Sequence, residues 1–142
     1  MARPFKEGLE YFPLDTQIDS KFELFEAEHG LIGFAFIIKL FQKIYNSGYY
    51  CEWSEDEQLL FAKKINVDIN QVNVYINSAL KRNIFNKEMF ERYGILTSKG
   101  IQKRYFTVSK RRKELKSIII DKYILIDLKE MGIKLERDKC KQ

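Results

Sequence analysis

Residues 61–85 read FAKKINVDINQVNVYINSALKRNIF. The stretch parses as the end of one helix, a tight turn, a second helix and the start of a strand. Ala62, Ile65, Val67, Val72, Ile76 and Leu80 give one apolar face that crosses the turn. Asp68 opens the second helix and Gln71 stands three residues on, an N-terminal capping pattern. The opposite face carries Asn70, Gln71, Asn73, Asn77, Ser78, Lys81 and Arg82. Amide side chains bond base edges in pairs, and Lys and Arg meet phosphates. The pattern predicts a helix-turn-helix inside a winged-helix domain. The expected class is mainly α with a small antiparallel β-sheet, an extra N-terminal helix and a C-terminal basic helix.

Upstream, Ser54 with Glu57 forms a capping box for a helix EDEQLLFAKKI, with Leu59, Leu60, Ala62 and Ile65 expected inward. Before it, YYCEW is rich in strand formers and reads as the first strand of the small sheet. Trp53 there is expected in the core rather than as a base-stacking residue. Residues 31–47 predict the most apolar helix, a buried cylinder with one wet stripe of Lys39, Gln42, Lys43 and Asn46. Asp19 or Ser20 caps a first helix that ends at Gly30 and buries Phe22, Leu24 and Phe25. Its acids Glu23, Glu26 and Glu28 predict that it faces away from nucleic acid. His29, the one histidine, is expected to be an ordinary part-exposed imidazole. Residues 1–18 predict an extended arm, because Pro4, Gly8 and Pro13 oppose helix. Tyr11, Phe12 and Leu14 are expected to pack it down.

Downstream, residues 84–97 predict the wing: strands at Ile84-Phe85 and at Ile95-Leu96-Thr97, joined by a segment with helical spacing over 87–93. Lys87 and Arg92 are its cations. Ser98 caps a basic helix expected to reach Leu115, with a stripe Ile101, Tyr105, Val108, Arg112 and Leu115. Lys103 and Arg104 lie beside that stripe. Residues 1–116 are expected as the winged-helix domain, and 117–142 as a C-terminal extension or truncated linker. SIIIDKYILIDL within it suits a strand or a buried helix and must pack somewhere, and residues 130–142 are expected to fray.

Charge is divided along the chain. Residues 1–60 hold five Lys/Arg against eleven Asp/Glu, a net of −6, and residues 61–142 hold twenty against nine, a net of +11. A basic half beside an acidic half fits a polyanion-facing side, or else an acidic-to-basic contact between two copies. The phosphate-meeting set is then Lys63, Lys64, Lys81, Arg82, Lys87, Arg92, Lys103 and Arg104, around the base-reading Asn70, Gln71, Asn73 and Asn77. A phosphate loop, a dinucleotide fingerprint and a nucleophile elbow are all absent from the sequence. One histidine argues against paired-histidine metal sites and a Ser-His-Asp arrangement. Glu55, Asp56 and Glu57 splay around a helix start rather than converge on one pocket. The expectation is a non-enzyme with no cofactor and no metal. Cys51 is expected as a buried thiol and Cys140 as incidental, which suits a reducing cytoplasmic setting. Arg3 and Lys6 are not followed by the apolar region of a signal peptide, and LIGFAFII is too short to span a bilayer, so no membrane partner is expected.

Four segments in order, MARPFKEGLEYFPLD, FELFEAEHGLIGFAFIIKLFQKIYNSGYYCEW, LLFAKKINVD and YGILTSKGIQKRY, resemble the N-terminal domain of phage and prophage DnaD-like replication proteins over residues 1–115. The function of that family is itself loosely defined. The resemblance implies a winged helix and a link to replication initiation, through DNA, self-association or both. The expected partners are double-stranded DNA, further copies of the chain in a homodimer or higher oligomer, and replication proteins such as a helicase or helicase loader. Its relatives carry a second helical domain and use the winged helix in oligomerisation. The alternative function it implies is a scaffold module of a primosome-like assembly.

Overall fold

The computed structural model describes residues 7–16, 19–112 and 115–133. Its elements run α1 (Ser20–Ser47), β1 (Cys51–Glu52), α2 (Glu55–Ile65), α3 (Ile69–Lys81), α4 (Lys87–Tyr93), β2 (Ile95–Leu96), α5 (Lys99–Ser109) and α6 (Leu115–Ile118), with a 3-10 turn at Asp121–Tyr123. The protein is mainly helical, with one two-stranded antiparallel sheet that pairs Cys51 with Leu96 and Glu52 with Ile95.

α1 is broken where the sequence places a glycine. Gly30 sits at φ 76° and ψ −173°, outside helical space, and turns the rod. The first part buries Phe25 but leaves Leu24 exposed, and Asp19 makes no side-chain capping bond. The second part buries Phe36, Ile37, Leu40, Phe41, Ile44 and Tyr45. It is not the buried cylinder expected: Leu31 and Ile32 stay 76% and 68% exposed. Only one flank meets the body, because Phe36 packs on Phe61 of α2 and Tyr75 of α3 at centroid distances of 5.7 and 5.0 Å. Leu59 and Leu60 on α2, expected inward, are likewise exposed, since α2 turns Phe61 and Ala62 to the core instead. Trp53 is core and stacks edgewise on Phe61 at 5.7 Å.

Residues 84–97 differ from the expected pair of strands. Ile84 and Phe85 are buried but form no strand. Residues 87–93 fold as α4, capped by Asn86, whose side chain accepts from Met89 N, and closed by Gly94 at φ 65°. β2 therefore pairs with β1, and only Asn86 N→Thr97 O, at 2.8 Å, ties the 84–86 segment to it. α5 stops at Ser109 rather than Leu115. The Ser109 hydroxyl donates back to Tyr105 O at 2.6 Å, a local bond that competes with helix continuation. The buried face of α5 is Ile101, Gln102, Tyr105, Phe106 and Ser109, and Val108 is exposed.

The arm and the extension are both clamped. In the arm, Leu9 N donates to Tyr45 O at 2.7 Å and Phe12 stacks on Tyr45 at 4.7 Å, whereas Tyr11 and Leu14 are exposed. Gly8 is needed because a Cβ there would meet Asn46 O at 1.8 Å. Arg3 and Lys6 lie outside the described residues.

The extension packs on the body through Ile118, Leu128 and Ile133. It is clipped there by two side chains. Tyr49 OH donates to Ile118 O and accepts from Ile120 N, and Gln102 bonds Tyr123 O and Leu125 N. It is neither strand nor long helix, and the boundary drawn at 116–117 falls inside α6. Residues 128–133 do not fray: Ile133 N donates to Leu128 O at 2.9 Å. The rest of that charged segment, with Cys140, lies outside the described residues.

Candidate nucleic-acid interface

The α2–α3 turn is built by local chemistry. Asn66 adopts the left-handed conformation at φ 57°, and its N–H reaches Ala62 O and Lys63 O. Val67 N returns to Ala62 O at 3.0 Å, a helix-ending pattern usually supplied by glycine and tolerated by asparagine. Asp68 then caps α3 by accepting from Asn70 N at 2.7 Å. One end of α3 is thus fixed relative to α2. Its apolar side, Val72, Tyr75, Ile76, Ala79 and Leu80, is buried.

The outer side of α3 holds Asn70, Gln71, Asn73, Asn77 and Lys81, all exposed. Val74 lies half exposed among the amides, an apolar group of the kind that meets a thymine methyl. α3 contains no acidic residue. Lys63 and Lys64 project from the last turn of α2, exposed. Lys87 and Lys103 are exposed as well, on α4 and α5.

The three arginines of the set are engaged within the chain. Arg82 donates through Nε and Nη2 to Glu28 Oε1 at 3.2 and 3.0 Å. Arg92 pairs with Glu88 at 3.0 Å and lies over the Tyr93 ring. Arg104 Nη1 donates to Tyr45 OH at 3.2 Å. Burial pushes the Tyr45 hydroxyl pKa up, against the lowering effect of Arg104. The cations also face different hollows. Lys64 borders a groove with Lys39, Lys43, Leu60 and the arm; Lys81 and Arg82 share one with Lys21; Arg104 borders a third beside Asp15 and Asp19. The four amides and Lys81 lie together on α3, and Lys81 and Arg82 border one hollow.

The expectation that the acidic part of α1 faces away from this surface is corrected. Ser78 Oγ donates to Glu28 Oε1 at 3.1 Å, and His29 Nε2 lies 2.8 Å from that hydroxyl. With the hydroxyl proton committed to Glu28, the imidazole nitrogen is the donor of the second bond. The His29 ring packs on Phe25 and Tyr75, at centroid distances of 4.5 and 5.2 Å. Hydrogen bonds from Arg82, then from Ser78, hold the Glu28 carboxyl pKa below its ordinary value. Lys21, also on α1, donates to Asn83 O at 3.2 Å. These partners stand about fifty to sixty residues apart in sequence, and no spacing rule links them.

Elsewhere, Cys51 is a buried free thiol whose pKa burial pushes up to about 12. Among the described residues, no group of three His, Cys, Asp or Glu is placed to hold a metal ion. No helix there is long and apolar enough to cross a membrane.

The model of the family described as Lin1244/Lin1753-like, N-terminal, matches residues 11–101. The chain belongs to that family. The matched segment runs from the arm through α3 into the first turn of α5, so it contains the whole candidate surface on α2 and α3. The chain is similar to the uncharacterized phage-related protein Lin1244/Lin1753 of Listeria innocua, 50% identical over an alignment of 133 residues that covers 92% of this chain and 43% of that protein. The chain therefore spans less than half the length of that relative. No solved structure matches this chain.

Proposed function

We propose that the chain is a non-catalytic DNA-binding module of the winged helix-turn-helix type, serving a phage-type DnaD-like replication initiation protein. One observation carries the reading. α3, second helix of a tight helix-turn-helix, has no acid and presents four exposed amides and a lysine on one face. In the major groove, Asn70, Gln71, Asn73 and Asn77 would bond base edges, and Val74 would meet thymine methyls. Lys63, Lys64 and Lys81 flank them as phosphate contacts. In this reading α4 and β2 occupy the place of the wing, and Lys87 and Lys103 add outlying charge. The phage-related name of the Listeria relative supports the phage setting. The replication role rests on the sequence resemblance.

The test is fluorescence anisotropy of a labelled random duplex across a salt series, with light scattering on the same samples. Three flanking lysines predict a log-log salt slope of roughly −2 to −3. Lys81→Glu is expected to weaken binding and flatten the slope by about 1 with size unchanged. No binding at low salt would overturn the reading. A second reading, a scaffold module that contacts protein in a primosome-like assembly, draws on the exposed Leu31, Ile32, Leu59 and Leu60. It predicts a concentration-dependent mass together with the absence of duplex binding.

A further inference from the structure

A hollow at the C-terminal end of α3 is lined by Ser20, Lys21, Leu24, Lys81 and Arg82. Three cations from two helices meet there. The Lys21 ammonium is held at the rim by Asn83 O. Lys81 is exposed and without an ion-pair partner among the described residues. Arg82 is drawn onto Glu28, and in an uneven way. Its Nε and Nη2 both bond a single carboxylate oxygen, Oε1, which also takes the Ser78 hydroxyl and lies 3.4 Å from His29 Nε2. A two-oxygen fork would be the stronger arrangement. The Glu28 side chain is 49% exposed, so solvent and a polyanion both reach it.

Guanidinium and hydroxyl converging on one anionic oxygen, the guanidinium sharing its hollow with two lysines, is a donor set that a phosphate oxygen takes. We propose that this hollow is a phosphate-binding site whose counter-ion in the free protein is the chain's own Glu28. A phosphate of the DNA backbone displaces the carboxylate and takes over Arg82 and Ser78, with Lys21 and Lys81 closing on it. Glu28 thereby sets a threshold: only a polyanion that offers more charge than one carboxylate opens the site. Exposed ion pairs contribute little to stability, so the exchange costs the fold little. The proposal rests on the DNA-binding reading for the identity of the polyanion, and not for the existence of the site.

The experiment compares the wild-type chain with Glu28→Gln and with Glu52→Gln, an exposed acid on β1 that changes net charge equally. Each is titrated with duplex by anisotropy across salt. Each is also titrated with inorganic pyrophosphate while the Arg82 Nε–H resonance is followed by nitrogen-15 NMR. Circular dichroism confirms the fold. Glu28→Gln is expected to bind duplex roughly tenfold more tightly in about 50 mM salt with a similar slope, because the same phosphate contact forms without a carboxylate to displace. Glu52→Gln is expected to leave the affinity within about twofold of the wild type. In Glu28→Gln, pyrophosphate is expected to move the Arg82 resonance at a lower concentration than in the wild type. A Glu28→Gln protein no tighter than Glu52→Gln, where duplex binds, overturns the proposal. So does an Arg82 resonance that pyrophosphate leaves unmoved in both forms. If pyrophosphate moves it as expected and no form binds duplex, the phosphate site stands and the DNA-binding reading falls.

Discussion

Replacing Gln102 with leucine tests how the extension is held. The side chain is fully buried on α5. Its Nε2 donates to Tyr123 O at 2.8 Å and to Thr97 Oγ1 at 3.2 Å, and its Oε1 accepts from Leu125 N at 2.8 Å. Leucine matches the volume, keeps helix propensity and removes all three bonds. Each is worth about 1 kcal/mol net, and the carbonyl and amide left behind are only part-buried, so water offsets some of the loss. The added apolar surface returns about 1 kcal/mol. The net expectation is a loss of about 2 kcal/mol, or roughly 4–8 °C in melting temperature for a chain of this size. Urea denaturation measures the free energy. Hydrogen exchange locates it: the Leu125 amide loses protection, while the Ile120 amide, which donates to Tyr49 OH, keeps more of its own. A change under about 0.5 kcal/mol, or equal loss at both amides, would refute the idea that Gln102 is a separate clip.

Three further expectations follow from burial. Cys51 is deeply buried with a thiol pKa raised to about 12, so in a Cys140→Ser background it should resist a thiol reagent at pH 8 until denaturant is added. Burial raises the Tyr105 pKa to about 12 and the Tyr49 pKa still further, from a starting value of 10.0. These groups stay protonated in the fold where the unfolded chain ionises. Their stabilising contribution is full below about pH 9 and falls as pH rises toward 12, which alkaline urea midpoints will show. On α1, Ile32→Gln should change stability by no more than about 0.5 kcal/mol, whereas Ile37→Ala should cost about 2–5 kcal/mol. Equal losses at the two positions would mean that the exposed side of α1 is covered in solution.

What the sequence determined by itself is local. Ser54, Asp68, Asn86 and Ser98 each cap the helix they precede, and the side chains of all four accept backbone bonds. Gly30 breaks α1, and the polar side of α3 could be written down from spacing alone. These features depend on neighbours three or four residues away, and chain geometry fixes such neighbours in advance. Which apolar side is covered depends on partners distant in sequence. The sequence therefore put Leu31, Ile32, Leu59 and Leu60 inside, and packing left them out. Ile84-Phe85 looked like a strand and became a buried loop. The expectation that the acidic part of α1 stands away from this surface failed for the same reason. Arg82 and Glu28 belong to helices of opposite sign in the sequence, and the fold brings them into one ion pair. Tertiary structure thus decided which cations of the basic half remain available to a partner: its exposed lysines do, and its engaged arginines must first give up a bond inside the chain.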